Sequence, residues 1–391
     1  MRPPNEPGPA SNSPALPRLN RVEAIHVRVP LRRPILDATG EYTHRRSWLL
    51  RVVDEHGAEG LGEAALSPIA EDVTTAALAA LLREVVPAMA AGRHPEWAEL
   101  AREGEPGRAV MAAVDGAIAA LLTARDVTSL GNTAPTATPS TIPVSASIRF
   151  GGPDAGAEAA AQAVELGFGT LKLRAGFERT TDQLVARIRA VRTAVGPEPR
   201  LRIDVGGAWD LEIATERLAG LEPFRIEYVE QPLAAWDLIG HAELRQRVGV
   251  PVALDESIDS EGSARAALAE EAADVIIVKP ARVGGTAATA RIAEMAERAG
   301  ATTVLGTHFE TGVGIASAIR AAAAVRATAR GRGRAGNPEP AHGLATAGLL
   351  VHDLLSVPLA IDKGRMVVPG VVGLDESAVD RYATERFEAQ R

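Results

Sequence analysis

Six charged side chains recur at intervals that suit one repeating structural unit, and their types suit proton chemistry on an acid. Lys172 and Arg174 stand in TLKLRAG, Asp204 in LRIDVGG, Glu230 in EYVEQP, Asp255 in ALDES and Lys279 in VIIVKP. His308 and Glu310 follow in GTHFETG. The steps from Lys172 through Asp204, Glu230, Asp255 and Lys279 to Glu310 are 32, 26, 25, 24 and 31 residues. Each is about one strand-plus-helix unit, and in a parallel barrel the C-terminal ends of all strands meet at one mouth. A single acidic residue there is explained by helix N-cap preference. Three on successive strands, with lysines on both sides, are not.

Three carboxylates aimed at one point repel unless a cation lies between them. Oxygen donors without Cys suit a hard ion, and Mg²⁺ fits because it keeps positions for substrate. The expected metal ligands are therefore Asp204, Glu230 and Asp255. A partly desolvated lysine beside such a cation has its pKa lowered and takes a proton near neutral pH. The cation offsets the charge gained by a substrate carboxylate when its α-proton leaves. The expected partner is thus a small carboxylate. His308, paired with Glu310, is a further acid–base candidate, and both are expected to contact the substrate.

The elements that must position these residues show in the pattern. Short apolar runs alternate with Ala-rich amphipathic stretches over residues 140–358. Strands are expected at Val144–Ile148, Thr170–Leu173, Leu201–Asp204, Ile226–Glu230, Val252–Asp255, Val275–Val278 and Thr303–Leu305. Helices are expected at Ala155–Leu166, Thr181–Val195, Ile213–Leu221, Ile239–Arg247, Ser263–Ala269 and Thr286–Ala299. This alternation implies a parallel sheet with right-handed crossovers. Seven or eight units over about 220 residues make an α/β barrel of the TIM type. The alternative is an open doubly wound sheet, but no Gly-rich phosphate loop follows a first strand. The pair Gly284-Gly285 suits a tight turn at the mouth.

Residues 21–135 read as a separate α+β domain. Strands at Ile25–Val29 and Trp48–Val53 flank a polar loop, Leu36–Arg46; helices follow at Thr75–Met89 and Ala109–Ala124. Glu63 reads as a polar residue ending a hairpin. Thr133–Pro143 is a Thr/Pro-rich linker, and Arg326–Arg334 reads as a solvated loop. Residues 1–20 are rich in Pro, Ser and Asn, lack the apolar middle of a signal peptide, and read as a disordered tail.

Composition excludes several classes. Net charge is −8 and the pI about 5.6, which offers nucleic acid no basic face. There are no cysteines, so neither disulfides nor thiolate metal sites exist. No apolar run reaches about 18 residues without a charge or breaker, so no membrane span is expected. A cytoplasmic protein is the default.

The K-x-K-like element Lys172–Arg174, Asp204, the E-Q-P at Glu230, the D-E-S at Asp255 and Lys279 together resemble the enolase superfamily, in its muconate-lactonizing subgroup. The resemblance covers about residues 21–360. It implies a capping domain over the barrel mouth, completed by about residues 360–391, with Mg²⁺ on Asp204, Glu230 and Asp255. It further implies loss of an α-proton next to a carboxylate to give an enediolate. Three stretches, Val29–Ser47, Phe309–Ala316 and His342–Leu349, resemble the o-succinylbenzoate synthases of that subgroup. They imply dehydration of a cyclohexadiene carboxylate in menaquinone biosynthesis. N-acylamino acid racemases, dipeptide epimerases and muconate cycloisomerases are the alternatives within the superfamily. A barrel that binds an acidic ligand without turnover is the alternative outside catalysis. Cap loops near Leu36–Arg46 and Ala64–Ile69 are implied to select the distal end of the substrate. A homo-oligomer is compatible with such a barrel.

In such an enzyme the second lysine of K-x-K removes the proton, and the lysine at 279 faces it across the substrate. Here the second position is Arg174, which stays protonated and is a poor base. Three arrangements fit: Lys279 is the sole base with Arg174 holding charge; Lys172 takes over; or the reaction differs or is lost. Gly206-Gly207 stands where such enzymes often place Asn after the first acidic ligand.

Overall fold

The computed structural model describes residues 17–37, 40–68, 70, 72–93, 95–129, 140–148, 152–331 and 339–391. Most of the expected tail, residues 133–139 of the linker, Ile69 and the last residues of the Arg-rich stretch lie outside them.

The N-terminal domain is built on β1 (Leu19–Asp37), β2 (Gly40–Asp54) and β3 (Glu59–Ala64). Three helices follow: α1 (Asp72–Ala90), α2 (Trp97–Arg102) and α3 (Gly104–Ser129). The C-terminal strand β14 (Ala383–Gln390) pairs antiparallel with β1, so the sheet runs β14-β1-β2-β3. Strand alternation sorts the apolar residues onto two faces. Val22, Ala24, Trp48, Leu50 and Val52 pack against α1 and α3. Ile25, Val27, Val29, Leu49 and Leu61 pack against Val313 and the C-terminal Leu350, Leu354 and Leu355. Each such fully buried aliphatic side chain contributes roughly 1.5–3 kcal/mol. With both faces covered, the strands extend beyond the expected short runs. The expected polar loop at 36–46 is largely strand, with Ile35 opposite Tyr42 and Leu36 opposite Glu41. Cross-strand pairing satisfies the backbone of a segment whose side chains carried no apolar signal.

Helices α1 and α3 are long and apolar enough to cross a membrane by length and composition alone, yet neither is an uninterrupted apolar run: α1 carries Arg83, Glu84 and Pro87, and α3 carries Arg108 and Asp115. Their apolar faces are instead buried on the sheet.

Among the described residues the barrel carries seven parallel strands in sequential order: β5 (Ala146–Ile148), β6 (Thr170–Arg174), β7 (Arg200–Asp204), β8 (Ile226–Glu230), β9 (Val252–Leu254), β10 (Val275–Val278) and β11 (Thr302–Leu305). Helices α4 (Pro153–Glu165), α5 (Thr181–Val195), α6 (Leu211–Leu221), α7 (Leu238–Arg247) and α8 (Glu261–Ala269) follow β5 to β9. After β10 come the short α9 (Pro280–Val283) and α10 (Thr286–Arg298), and after β11 comes α11 (Gly312–Gly331). The ring is closed by residues 341–343. Val144 bridges His342 in parallel, His342 N donates to Pro143 O at 2.9 Å, and Gly343 N donates to Leu305 O at 2.7 Å. The His342 side chain joins in: its Nδ1 accepts from Leu305 N at 3.1 Å. Burial, helped by Arg202 and Arg326, pushes this imidazole down to about 3, so it is the neutral acceptor that the bond requires. A small sheet of β4 (Thr141–Pro143), β13 (Arg365–Val367) and β12 (Ile361–Asp362) and a last helix α12 (Glu376–Tyr382) complete the chain.

The expected solvated loop from Arg326 is helical as far as Gly331. Arg326 is anchored, donating to Thr141 O at 2.6 Å and to Glu339 at 3.3 Å.

Two carboxylates of the N-terminal domain cap helices of the barrel. Glu63 ends the β2–β3 hairpin as expected, opposite Leu49, but it is also buried and accepts from Ser47 Oγ (2.7 Å), Thr311 Oγ1 (2.6 Å), Thr311 N (3.1 Å) and Gly314 N (2.9 Å) at the start of α11. Asp115 Oδ2 accepts from Thr286 N at 2.6 Å, at the start of α10. Helix N-termini carry unpaired N–H groups and partial positive charge, so both contacts fix the domain over the mouth. The turn expected at Gly284-Gly285 is present, with φ of 99° and 103°. A Cβ on Gly285 would lie 2.8 Å from Asp115 Cβ.

Candidate active site

Register lines up the site. Arg174 lies opposite Asp204, and Asp204 opposite Glu230, on three adjoining strands. Lys172 shares the inward side with Arg174, whereas Leu171 and Leu173 point outward into the core under α5. Asp255 follows β9 and Lys279 follows β10 directly. Lys172, Arg174, Asp204, Glu230, Asp255, Lys279 and His308 all line one cavity of about 330 Å³. Ile35, Ser67 and Pro68 of the N-terminal domain form part of its wall.

Cations and carboxylates are interleaved. Lys172 Nζ lies 2.7 Å from Glu230 Oε1 and 3.1 Å from Asp204 Oδ2. Arg174 Nη1 donates to Asp204 Oδ1 at 2.8 Å, and Lys279 Nζ to Asp255 Oδ2 at 2.6 Å. Burial works against the charge on Lys172, but Asp204, Glu230 and Asp255 outweigh it and hold its pKa well above the usual lysine value. Burial alone would raise Asp255. Lys279, Arg282 and Lys172 reverse this and keep it below the usual carboxylate range.

The donor chemistry fits a hard divalent cation. Three carboxylates from successive strands face one cavity, and the buried Oε2 of neighbouring Glu256 has no hydrogen-bond partner. Among the described residues no three such side chains are already drawn into a ligand shell. The Lys172 ammonium stands between Asp204 and Glu230 instead.

His308 and Glu310 diverge. His308 is buried and lines the cavity, with Nδ1 unpartnered. Burial, reinforced by Lys279, Arg282 and Arg45, holds its pKa well below the usual value, so it is neutral. Its expected pairing with Glu310 runs through the backbone, His308 N donating to Glu310 Oε2 at 2.7 Å. Glu310 itself lines a separate small cavity beside Glu63, α3 and α11. Burial pushes Glu310 up to about 7, opposed by Arg45 and reinforced by Glu63. A folded pKa above the unfolded value of about 4.5 means the native state holds more protons between the two. This contribution is complete below pH 4.5 and is lost as pH rises through 7. Glu310→Gln should therefore flatten the stability–pH curve across that window, as read by urea unfolding at each pH. An unchanged slope would show that Glu310 does not titrate there.

Several residues escaped the sequence reading. Gln231 is fully buried, and its Oε1 accepts from Asp255 N (2.9 Å) and Ser257 N (3.2 Å). Its Nε2 donates to Ser257 Oγ at 2.9 Å. Gln231 thus ties the end of β8 to the turn that carries Asp255. Arg282 Nη1 donates to Asp255 O at 3.1 Å and lines the cavity. No local signal marks either residue; the second glutamine-containing position of E-Q-P only becomes informative once β8 and β9 are neighbours.

Residues 155–375 match the family described as Enolase C-terminal domain-like. An o-succinylbenzoate synthase of Thermobifida fusca is 39% identical over 224 residues, which is 56% of this chain and 64% of that protein. An N-succinylamino acid racemase of Thermus thermophilus is 30% identical over 90% of this chain and 94% of that protein. The chain thus matches less than two thirds of the Thermobifida protein's length, and nearly all of the Thermus protein's. Among solved structures, muconate lactonizing enzyme from Pseudomonas fluorescens superposes with a TM-score of 0.77 at 23% identity, covering 95% of this chain and all of that one. That likeness carries the fold: an enolase-type barrel with an antiparallel N-terminal domain. The matched family model, the near-full-length relative and the row of strand-end carboxylates agree, and the chain belongs to the enolase superfamily.

Proposed function

We propose that this chain is a Mg²⁺-dependent lyase that removes an α-proton next to a carboxylate, and that it dehydrates 2-succinyl-6-hydroxy-2,4-cyclohexadiene-1-carboxylate to o-succinylbenzoate. The carrying observation is one cavity lined by Asp204, Glu230 and Asp255, with Lys172 paired to the first two and Lys279 to the third. Enzymes of the superfamily generally use Mg²⁺, and the likeness to the Thermobifida o-succinylbenzoate synthase supports the dehydratase over its relatives. Mg²⁺ held by Asp204, Glu230 and Asp255 would supply charge stabilisation to the substrate carboxylate.

Strands β6 and β10 lie four places apart in the closed ring, on opposite sides of the mouth. Lys279 Nζ accepts the α-proton from its side. The C–H electron pair becomes the new double bond, the C–O bond breaks, and the departing hydroxide takes the proton from Lys279 and leaves as water. Lys172 and Arg174 hold positive charge on the other side. Ser67, Pro68 and Ile35 lie where they would meet the distal part of the substrate.

A second reading is racemisation of an N-succinylamino acid, favoured by the long match to the Thermus racemase. It needs a proton-transfer group on each face, and Arg174 does not supply one on the β6 side.

The test is absorbance-monitored loss of the cyclohexadiene, with Mg²⁺ and then with excess EDTA. Turnover that stops with EDTA and returns with Mg²⁺ is the expected result. No turnover, together with racemisation of N-succinyl amino acids, would replace the dehydratase by the second reading.

A further inference from the structure

Arg174 and Gly206 meet on the β6–β7 wall of the cavity. The backbone of Arg174 is pinned: Arg187 Nη2 donates to its carbonyl, and Ala175 N donates to Asp204 O at 2.7 Å. Its guanidinium is fixed at one corner by Asp204 Oδ1. The rest of the plane lies on the bare Cα of Gly206. A Cβ there would come 2.4 Å from Nη2, 2.8 Å from Nη1 and 2.9 Å from Cζ. All three atoms belong to one planar group at the end of a flexible side chain, so a methyl at 206 requires the guanidinium to shift off this seat. Gly206 also sits at φ +62°, where glycine is favoured.

The seated guanidinium faces the cavity. Both residues line it, and the Arg174 side chain is 28% exposed. With one corner spent on Asp204, the other N–H groups form a planar donor edge suited to a carboxylate, which a lysine ammonium cannot reproduce.

We propose that Arg174, seated on Gly206, determines specificity by gripping a carboxylate of the substrate acid on the β6 side. The identity of that acid rests on the dehydratase reading; the seat itself does not.

Isothermal titration of o-succinylbenzoate into the intact, Mg²⁺-loaded protein tests it. Loss of a charge-assisted hydrogen bond is worth about 10- to 100-fold in affinity. Arg174→Ala and Gly206→Ala should each weaken binding within that range, by similar factors, because both remove the same grip. The double variant should be no weaker than either single one. Arg174→Lys should not restore binding. Each titration is run at a Mg²⁺ concentration that saturates the variant in question, because loss of the Arg174 contact with Asp204 Oδ1 alters Mg²⁺ affinity by itself. Near-native binding by Gly206→Ala, or multiplying losses in the double variant, would each overturn the proposal. If Gly206→Ala folds poorly, the Arg174→Ala and Arg174→Lys comparison still decides: native-like affinity in either overturns it. Acid binding that depends on Arg174 in a protein that never dehydrates the cyclohexadiene sinks the lyase reading alone. A wild type that binds no acid sinks both.

Discussion

Lys279→Ala should lose on the order of 10²–10⁴-fold in turnover, the usual worth of a positioned general base. The protein should still fold, because the side chain reaches the cavity from the end of β10. Loss of Lys279 leaves Asp255 its contacts with Arg282, at 3.1 Å to the carbonyl and 3.4 Å to the carboxylate. The measurement is steady-state turnover of the cyclohexadiene, with solvent-deuterium exchange at the α-carbon of o-succinylbenzoate precursors as a second readout and circular dichroism as the folding control. A folded variant retaining full activity would remove Lys279 from the role of base. Exchange retained while elimination is lost would instead make Lys279 the donor to the departing hydroxide, with the proton removed elsewhere.

The largest expected stability effect lies outside the cavity, at Glu63→Ala. The buried carboxylate takes four hydrogen bonds from Ser47, Thr311 and Gly314, three of them from the start of α11. Truncation strands those donors without water and leaves nearby Arg45 with one less compensating charge. Breaking a buried charged contact of this kind costs about 3 kcal/mol. Chemical denaturation should report that loss, and proteolysis should report looser docking of the N-terminal domain. A loss below about 0.5 kcal/mol, the range of an ordinary surface change, would mean that packing of Val313 with Ile25 and Leu49 suffices to dock the two domains. Glu63→Gln should recover part of the loss, since an amide oxygen still accepts from two donors.

Much of the site was legible because barrel chemistry writes itself into spacing. A residue at the C-terminal end of each strand recurs once per unit, so Lys172, Asp204, Glu230, Asp255 and Lys279 could be placed together before any coordinates. The apolar runs of β6 to β11 were legible for a related reason: strands covered by helices are apolar on the face that packs outward. The closing of the ring was not. The segment at 341–343 is too short and too polar to read as a strand, and one of its bonds comes from the ring of His342 rather than from the backbone. Nor was the length of β1 and β2, because cross-strand pairing of 35–37 with 40–42 depends on a partner and not on composition.

The sequence by itself determined the repeating unit, the inward side shared by Lys172 and Arg174, and the acidic row on successive strands, since strand period and unit length are local properties. Tertiary structure decided what depends on side chains far apart in the chain. It separated His308, in the cavity, from Glu310, two residues on but in another. It made Glu63, at the end of its hairpin, also the cap of a helix some 250 residues later. It also put the guanidinium of Arg174 on the bare backbone of Gly206, making one arrangement of two departures that look unrelated in the chain. Distance in space, which spacing along a chain does not carry, separates the two kinds of conclusion.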